Sequence, residues 1–269
     1  MAQNKQTVTE QYKDSGNLNA RIALHARCSV NKYPWQRWVF DHLACSTEAR
    51  ILELGCGPGN LWQENADRIP AGWDITLSDF SAGMLDDARR NLSTVTHPFT
   101  FRSIDAAAIP FDAMTFDAVL ANHMLYHVPD RSPTLAEIQR VLKPGGWVFA
   151  STVGETHMRE LWELVDVYRP GTITRRSVIT AGFTLENGAT QLSEWFSDVE
   201  MYSYEDALIV TEPDLLLAYI LSSSILITEP FSTRQQTSLL ALIKARIADH
   251  GAIRITKSSG LFRARRGGG

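Results

Sequence analysis

The stretch ILELGCGPGN, residues 51–60, decides the fold of this 269-residue chain. Its first four residues are typical of a buried parallel strand, and glycine then occupies every second position, at Gly55, Gly57 and Gly59. Glycine lets the backbone turn sharply and lets a ligand approach without a Cβ in the way. Glu53 would repel a pyrophosphate but could pair with an ammonium group, so the loop is predicted to bind a zwitterionic or cationic ligand.

Predicted strands and helices alternate outward from this loop. The strands lie at 51–54, 74–79, 99–102, 116–121 and 147–152, and the helices among them lie at 60–68, 83–92 and 132–142. Alternation of this kind indicates parallel strands joined by right-handed crossovers. We therefore predict an α/β fold with a doubly wound, mostly parallel sheet.

The part of the chain after the fifth strand departs from simple alternation. Helices are predicted at 155–167, 186–196, 213–223 and 232–249, and strand-like runs at 199–204, 207–210, 253–255 and 260–265. The last two runs are predicted to pair as a hairpin through residues 257–259 and to complete the sheet with an antiparallel strand. The helices at 213–249 then form an insertion beside the sheet that roofs a pocket.

Composition and charge exclude several classes of protein. Hydrophobic residues make up 44% of the chain, and the formal net charge of -4 with no long basic run argues against a nucleic-acid-binding surface. No apolar stretch reaches the length of a membrane span, and the polar N-terminus lacks a signal-peptide pattern. Cys28, Cys45 and Cys56 lack the spacing of a metal site or a disulfide framework, so we expect no metal and a reducing, cytoplasmic location.

Polar residues follow the ends of the predicted strands, where ligands bind in open α/β sheets. Asp79 ends the second strand about 20 positions after Gly59, a separation at which a strand-end carboxylate meets the ribose hydroxyls of an adenine nucleoside. Asp105 follows the third strand and could accept from the adenine amine, and the fourth strand leads into a polar and aromatic cluster at 122–127. Together with Glu53, this pattern favours S-adenosylmethionine over NAD as the ligand.

At these residues the chain resembles the class I S-adenosylmethionine-dependent methyltransferases, and most of all the bacterial small-molecule branch with the quinone-biosynthesis-type enzymes. The matching segments are ILELGCGPGN, SDFSAGML, the strand end at Asp105, FDAVLANHMLYHVPD and LKPGGWVFAST, which together span about residues 48–153. The resemblance implies a Rossmann-like methyltransferase fold with a seven-stranded sheet, an antiparallel last strand and a helical cap. It further implies an N-terminal helical lid at 1–46 and a core at 47–212 and 250–266.

The resemblance also implies which residues bind the cofactor. Glu53, Gly55 and Gly57 would frame its methionine end, and Asp79 would bind the ribose. The other residues implied to bind it are Met84 near the adenine, Asp105 with Ala106 at the adenine edge, Asn122 beside the sulfonium, and Cys56, Phe80 and Tyr12, which complete the set.

Several of these residues also have a purely structural interpretation, which the sequence leaves open. Asp79 could cap the helix that begins near Ser81, and Asp105 could be a solvated loop residue. Met84 could fill the core, and Cys56 is better explained as a small residue that tolerates burial than as a nucleophile.

Catalysis is expected to rest mainly on proximity and orientation, because the sulfonium already activates the methyl group. If a general base exists, His127 and His123 are the candidates, since they follow the fourth strand and can take a proton near neutral pH. We predict that Tyr33, Trp35, Tyr126 and His127 line the acceptor site. The alternative is that either histidine satisfies a backbone carbonyl and that Trp35 only packs its helix on the sheet.

The function predicted from the sequence is methyl transfer from S-adenosylmethionine to a small-molecule acceptor, with S-adenosylhomocysteine as the second product. The protein is expected to be a monomer or a homodimer that binds neither nucleic acid nor membrane. The alternatives are a cofactor-binding protein without transferase activity, an RNA or protein methyltransferase, and a nicotinamide dehydrogenase with a variant glycine loop. The sequence does not identify the acceptor, or whether O, N, S or C is methylated.

Overall fold

The structure is a computed structural model, and it describes residues 16–172, 182–223, 227 and 229–268. The strands in the described residues are β1 Arg50–Leu54, β2 Asp74–Asp79, β3 Phe99–Ser103, β4 Phe116–Asn122, β5 Leu142–Val153, β6 Ser197–Tyr204, β7 Ala207–Val210, β8 Ile253–Thr256 and β9 Ser259–Arg265. Seven of them form the main sheet in the order β3-β2-β1-β4-β5-β9-β6.

The central strands are parallel, and the last strand is not. β1 pairs in parallel with β2 and β4, β2 with β3, and β4 with β5, whereas β9 runs antiparallel to both β5 and β6. The predicted α/β fold, a mostly parallel seven-stranded sheet with an antiparallel last strand, is therefore confirmed. The carboxyl ends of β1, β2 and β4 meet at one edge, and this edge carries the residues of interest.

Helices cover both faces of the sheet. They are α1 Gly16–Cys28, α2 Trp35–Asp41, α3 Asn60–Glu64, α4 Ala82–Asn91, α5 Arg131–Val141, α6 Arg159–Tyr168, α7 Gly188–Ser193, α8 Pro213–Ser222 and α9 Thr233–His250, with a 3-10 turn at Leu125–His127. Local signals explain their starts. Ser81 Oγ accepts from Met84 N at the start of α4, and Ser232 with Gln235 forms a capping box at the start of α9.

The predicted hairpin between the last two strands is wrong. β8 pairs antiparallel with β7 in a separate two-stranded sheet, and β9 alone joins the main sheet. The reason is burial, because Leu208, Val210 and Ile255 are each fully buried in a third apolar cluster that also contains residues of α1, α6, α8 and α9. An ion pair between Lys257, directly after β8, and Asp206, directly before β7, holds the two strands together.

The helices at 213–249 contribute to that third cluster together with the N-terminal helix. α8 packs against α1 and α9, and α6 packs against β8. Leu24 of α1, Leu161 of α6 and Leu216 of α8 are fully buried there. The division into lid, core and insertion stays a prediction, but the described residues show that the N-terminal and C-terminal helices share one apolar layer.

Gly260 in β9 tests the packing of the main sheet. A Cβ at this position would come within 2.9 Å of Leu185 Cδ2 and within 2.5 Å of the backbone oxygen of Tyr202, which cannot move without disturbing the pairing of β6 with β9. We expect Gly260→Ala to lower the free energy of unfolding by about 1–3 kcal/mol. Gly267→Ala is the control, because its Cβ would meet no atom within 4 Å. Equal urea midpoints for the two variants would contradict this account.

Candidate cofactor and acceptor site

The glycine loop after β1 needs glycine for two reasons. Gly55, Gly57 and Gly59 all have positive φ angles, of 68°, 54° and 80°, which side chains rarely adopt. A Cβ at Gly55 would lie 2.9 Å from Met124 Cβ, and one at Gly59 would lie 2.9 Å from Leu92 Cδ1. At Gly57 the nearest atom would be Leu18 Cδ2 at 4.0 Å, so this glycine leaves its backbone open to a ligand.

Glu53 lies at the end of β1, and its side chain is held from two sides. Trp62 Nε1 donates to Glu53 Oε2 at 2.6 Å, and Asn122 Nδ2 donates to Oε1 at 3.0 Å. Burial raises the pKa of this carboxyl to about 6, although both hydrogen bonds act to lower it. Asn122 Oδ1 is buried beside it and has no hydrogen-bond partner among the described residues. Two acceptor groups therefore converge at this point.

Asp79 lies at the end of β2 and contacts the glycine loop. Its Oδ2 accepts from Gly57 N at 2.9 Å, and its Oδ1 accepts from Ser81 N at 2.8 Å. Burial raises the pKa of this carboxyl, and the backbone hydrogen bonds oppose the shift. Ser81, rather than Asp79, is the N-cap of α4. Phe80 follows at the same rim, with 53% of its surface exposed.

The residues predicted at the adenine have less distinctive surroundings. Met84 is 1% exposed in the first turn of α4. Asp105 Oδ1 accepts from Ala107 N at 3.1 Å, and Ala106 packs against the core. Cys56 is buried, and burial raises the pKa of its thiol well above the usual range, so it is not an activated nucleophile. Tyr12 lies outside the described residues.

The structure brings three of the four predicted acceptor-site residues, Trp35, Tyr126 and His127, together around His123, the other candidate base. The His123 ring lies 5.2 Å from the Trp35 ring and 6.2 Å from the Tyr126 ring, and the Tyr126 and His127 rings are 4.5 Å apart. Tyr33 lies elsewhere, because it is 44% exposed and its hydroxyl donates to Asp41 Oδ2 at 2.7 Å.

His123 has an unusual backbone conformation for a histidine. Its φ is 50°, in the left-handed region, and its N–H donates to both the backbone oxygen and the Oγ of Ser151, at 3.1 and 3.0 Å. Ser151 is fully buried in β5 and so fixes this geometry. Strain of this kind accumulates at functional sites, where surrounding contacts hold it in place.

Both candidate bases are neutral near pH 7. Burial, with a smaller effect of Lys257, lowers the pKa of His123 to about 4. Burial, Arg21 and His123 lower the pKa of His127 to about 3. Each neutral imidazole can accept a hydrogen bond from the substrate that receives the methyl group, but neither imidazole is a strong base.

The sequence did not predict two histidines near the candidate acceptor site, His25 and His157. The His25 ring lies 6.3 Å from the His157 ring and 5.8 Å from that of Tyr219. His157 Nδ1 accepts from Ser258 N at 3.2 Å. His157 follows the end of β5 by four positions, so the strand-end rule could have identified it. His25 gave no comparable signal, because its position depends on how α1 packs.

The sheet order and the strand ends at this edge define a Rossmann-like α/β domain. Residues 52–150 match the family described as Methyltransferase domain. The predicted resemblance to the S-adenosylmethionine-dependent methyltransferases is therefore confirmed over these residues. In the part of the chain that the structure describes, no helix combines the length and the hydrophobicity needed to cross a bilayer.

Known proteins are similar to this chain over different lengths. The demethylmenaquinone methyltransferase of Renibacterium salmoninarum is 37% identical over 112 residues, 42% of this chain and 44% of that protein. A ubiquinone/menaquinone biosynthesis C-methyltransferase of Cellvibrio japonicus is 29% identical over 136 residues, 50% of this chain and 55% of that protein. The chain thus spans about half the length of the curated relatives it matches. A 4+2 cyclase of known structure shares the fold, with a TM-score of 0.60, 18% identity and coverage of 98% and 97%.

Proposed function

We propose that the protein transfers a methyl group from S-adenosylmethionine to a small-molecule acceptor and releases S-adenosylhomocysteine. The observation that carries this proposal is the convergence of Glu53 and Asn122 beside the open glycine at Gly57. The methyltransferase domain at 52–150 supports it.

The residues present fit the cofactor. Asn122 Oδ1 is a buried acceptor without a partner among the described residues, and Glu53 has lone pairs beyond the two it uses. An ammonium group supplies the donors that these oxygens need. Asp79 presents a carboxylate at the next strand end, where two ribose hydroxyls could donate to it. When bound, S-adenosylmethionine supplies a methyl group that its sulfonium activates.

The protein's own residues are proposed to bind and orient the cofactor and the methyl acceptor, and to exclude water from them. Trp62 and Asn122 fix the Glu53 carboxylate, and Ser151 fixes the backbone of His123. The Trp35 ring covers the His123 ring and keeps water from this side. Good orientation can contribute roughly 7–11 kcal/mol to a barrier. A general base contributes about 10²–10⁴-fold, so positioning is proposed to dominate and the neutral histidines to accept hydrogen bonds from the acceptor.

Binding and transfer test this function separately. We expect S-adenosylmethionine and S-adenosylhomocysteine to bind saturably in calorimetric titrations, and NAD not to bind. Isotopically labelled S-adenosylmethionine should then label a small molecule in a cell extract, identified by mass. Tight binding without transfer would indicate a cofactor-binding protein, an alternative that the fold shared with a cyclase keeps open. Salt-dependent retardation of RNA in a gel would indicate a nucleic-acid substrate.

The wider setting of the protein is also a proposal. A net charge of -4 and the lack of a long basic run support a small molecule, rather than a nucleic acid, as the acceptor. We propose a monomer or homodimer in the cytoplasm, which size-exclusion chromatography and fractionation of cells would test.

The pKa of Glu53 makes cofactor binding depend on pH. A carboxyl with a pKa of about 6 is ionised at pH 7 and mostly protonated at pH 5.5, and the ammonium group prefers the ionised form. The dissociation constant of S-adenosylhomocysteine should therefore rise about fourfold between pH 7 and pH 5.5, with proton release on binding. Glu53→Gln should bind weakly and lose this dependence. A constant dissociation constant over this range would contradict the role of Glu53.

A further inference from the structure

The carboxyl group of Glu53 has a hydrogen-bond donor on each oxygen, and one of the two donors is an indole. Trp62 Nε1 donates to Oε2 at 2.6 Å, and Asn122 Nδ2 donates to Oε1 at 3.0 Å. Trp62 follows Glu53 by nine positions and lies on α3, beyond the glycine loop. The indole therefore reaches the carboxyl group from an element that the sequence did not connect with the cofactor.

Gly59 places Trp62 beside Glu53. It is the N-cap of α3 with a φ of 80°, and its backbone oxygen accepts from Trp62 N at 3.1 Å. A Cβ on Gly59 would lie 2.9 Å from Leu92 Cδ1, so this glycine faces the protein. The third glycine of the loop is thus explained by the start of α3, which brings the indole to the carboxyl group.

The hydrogen bond between the indole and the carboxyl group is enclosed by the protein. Trp62 is 0% exposed and Glu53 is 2% exposed. The rings of Phe40, Trp73 and Phe99 have their centres 6.4, 6.4 and 6.1 Å from the ring of Trp62. A hydrogen bond in a site of low dielectric is stronger than the same bond in water, and breaking it leaves a buried polar group unpaired. This bond therefore holds both side chains in one arrangement.

The two donors also affect the charge of Glu53. A hydrogen bond to a carboxylate favours its ionised form, whereas burial raises the pKa of this carboxyl to about 6. Asp79, at the end of β2, acts in the same direction as burial. The Cys56 thiol also interacts with Glu53, but it is neutral because burial raises its pKa well above the usual range. The donors thus oppose burial in keeping Glu53 ionised at neutral pH.

We propose that Trp62 is a positioning residue for S-adenosylmethionine, whose indole N–H orients the Glu53 carboxylate and stabilises its charged form. This inference rests on the proposed binding of the cofactor's ammonium group at Glu53. With one donor on each oxygen, the carboxylate is held against rotation, and its remaining lone pairs keep a fixed direction. Trp62 acts on the cofactor through Glu53. If Trp62 only filled the core, its ring would matter and its N–H would not.

The indole N–H signal of Trp62 tests the bond in protein without cofactor. Nitrogen-15-labelled protein is titrated from pH 8 to pH 5.5, and the seven indole signals are assigned by through-bond NMR experiments. We expect the Trp62 signal to shift with a midpoint near pH 6, where Glu53 changes its charge. The Trp73 signal is the internal control, because its Nε1 donates at 2.7 Å to the backbone oxygen of Ser46, which does not titrate. In Glu53→Gln the Trp62 signal should stay constant.

The variant Trp62→Phe separates the N–H from the ring. Phenylalanine keeps an aromatic ring but has no donor, so the midpoint of the pH dependence of S-adenosylhomocysteine binding should rise by about one pH unit. Between pH 8 and pH 5.5 the dissociation constant should then change about thirtyfold, against about fourfold in the wild type. Calorimetric titrations across this range measure both. Trp73→Phe is the matched control, because it removes an indole N–H from the same group of rings and should keep the wild-type profile.

The outcomes distinguish this inference from the proposed function. A midpoint in Trp62→Phe equal to that of the wild type overturns the inference, including the case in which the dissociation constant rises by one factor at every pH. A wild-type Trp62 signal that does not titrate also overturns it, and this measurement with Glu53→Gln decides if Trp62→Phe does not fold. Failure of the wild-type protein to bind S-adenosylhomocysteine, even with a titrating Trp62 signal, overturns the proposed function and with it the role of Trp62 toward the cofactor.

Discussion

Replacing Asp79 with asparagine is expected to weaken the binding of S-adenosylhomocysteine by about 10²- to 10⁴-fold. The carboxylate is proposed to accept from two ribose hydroxyls, and hydrogen bonds to a charged group are worth about 1.5–3 kcal/mol each. An asparagine would also turn an NH₂ group toward Gly57 N or Ser81 N, both of which now donate to Asp79. Isothermal calorimetry at pH 7 measures the change.

Asp74→Asn is the matched control on the same strand. Asp74 begins β2 at the opposite edge of the sheet, and its side chain is 59% exposed where it pairs with Arg50 Nε at 3.1 Å. Exposed pairs of this kind contribute about 0–1 kcal/mol, so stability and binding should both change little. If Asp79→Asn binds the cofactor as tightly as the wild type, Asp79 serves only to hold the glycine loop.

The cofactor side could be predicted from the sequence because its signals are local. Glu53 stands in a buried strand directly before the alternating glycines, and the observed strand, Arg50–Leu54, begins one residue earlier than predicted. Asp79 ends β2 at the predicted residue. Parallel strands bring their carboxyl ends to one edge, so the order of elements alone places Glu53, Asp79 and Asn122 near each other.

Long-range contacts decided what the sequence could not predict. The run at 253–255 alternates like any edge strand. Its pairing with β7 depends on the burial of Ile255 in the third apolar cluster and on the ion pair between Lys257 and Asp206. The helix predicted at 60–68 ends at Glu64, because the fully buried Asn65 amide donates to Leu61 O at 2.7 Å and to Gln36 O at 3.1 Å. This side chain competes with the helical backbone only where α2 is present to receive it.

Long-range contacts also limited how well the acceptor-site residues could be predicted from the sequence. Tyr33 and Trp35 are two residues apart and were predicted to have the same role. Trp35 begins α2 and contacts the rings of His123 and Tyr204, whereas Tyr33 precedes the helix and bonds Asp41. His25 meets the rings of His157 and Tyr219 only because α1 packs against α8. The position of an aromatic residue or a histidine in a predicted helix does not show which other helix or strand that side of the helix will pack against.

Lowering the pH from 7 to 5 is expected to reduce the free energy of unfolding by at least about 4 kcal/mol. Burial also lowers the pKa of His157, which acts in the same direction and adds to this loss. His25, His123 and His127 have folded-state pKa values of about 3, 4 and 3, against an ordinary value of 6.5. Below pH 6.5 these histidines therefore bind protons in the unfolded chain but not in the folded protein. Each of them lowers the free energy of unfolding by about 1.4 kcal/mol per pH unit until the pH reaches its folded-state pKa. Glu53, with its raised pKa of about 6, acts with the opposite sign and offsets about 1 kcal/mol.

His123→Asn tests the source of this dependence, because asparagine tolerates the left-handed backbone that His123 adopts at φ 50°. Urea unfolding at pH 7 and pH 5 should show that this variant loses about 2 kcal/mol less than the wild type. His250→Gln, which alters an exposed histidine, should behave like the wild type. Since a domain has only about 5–15 kcal/mol of stability, a loss of 4 kcal/mol is large and easily measured. Equal free energies at the two pH values would mean that His25, His123 and His127 are protonated at pH 5 in the folded protein, and hence that they are more open to water than their packing indicates.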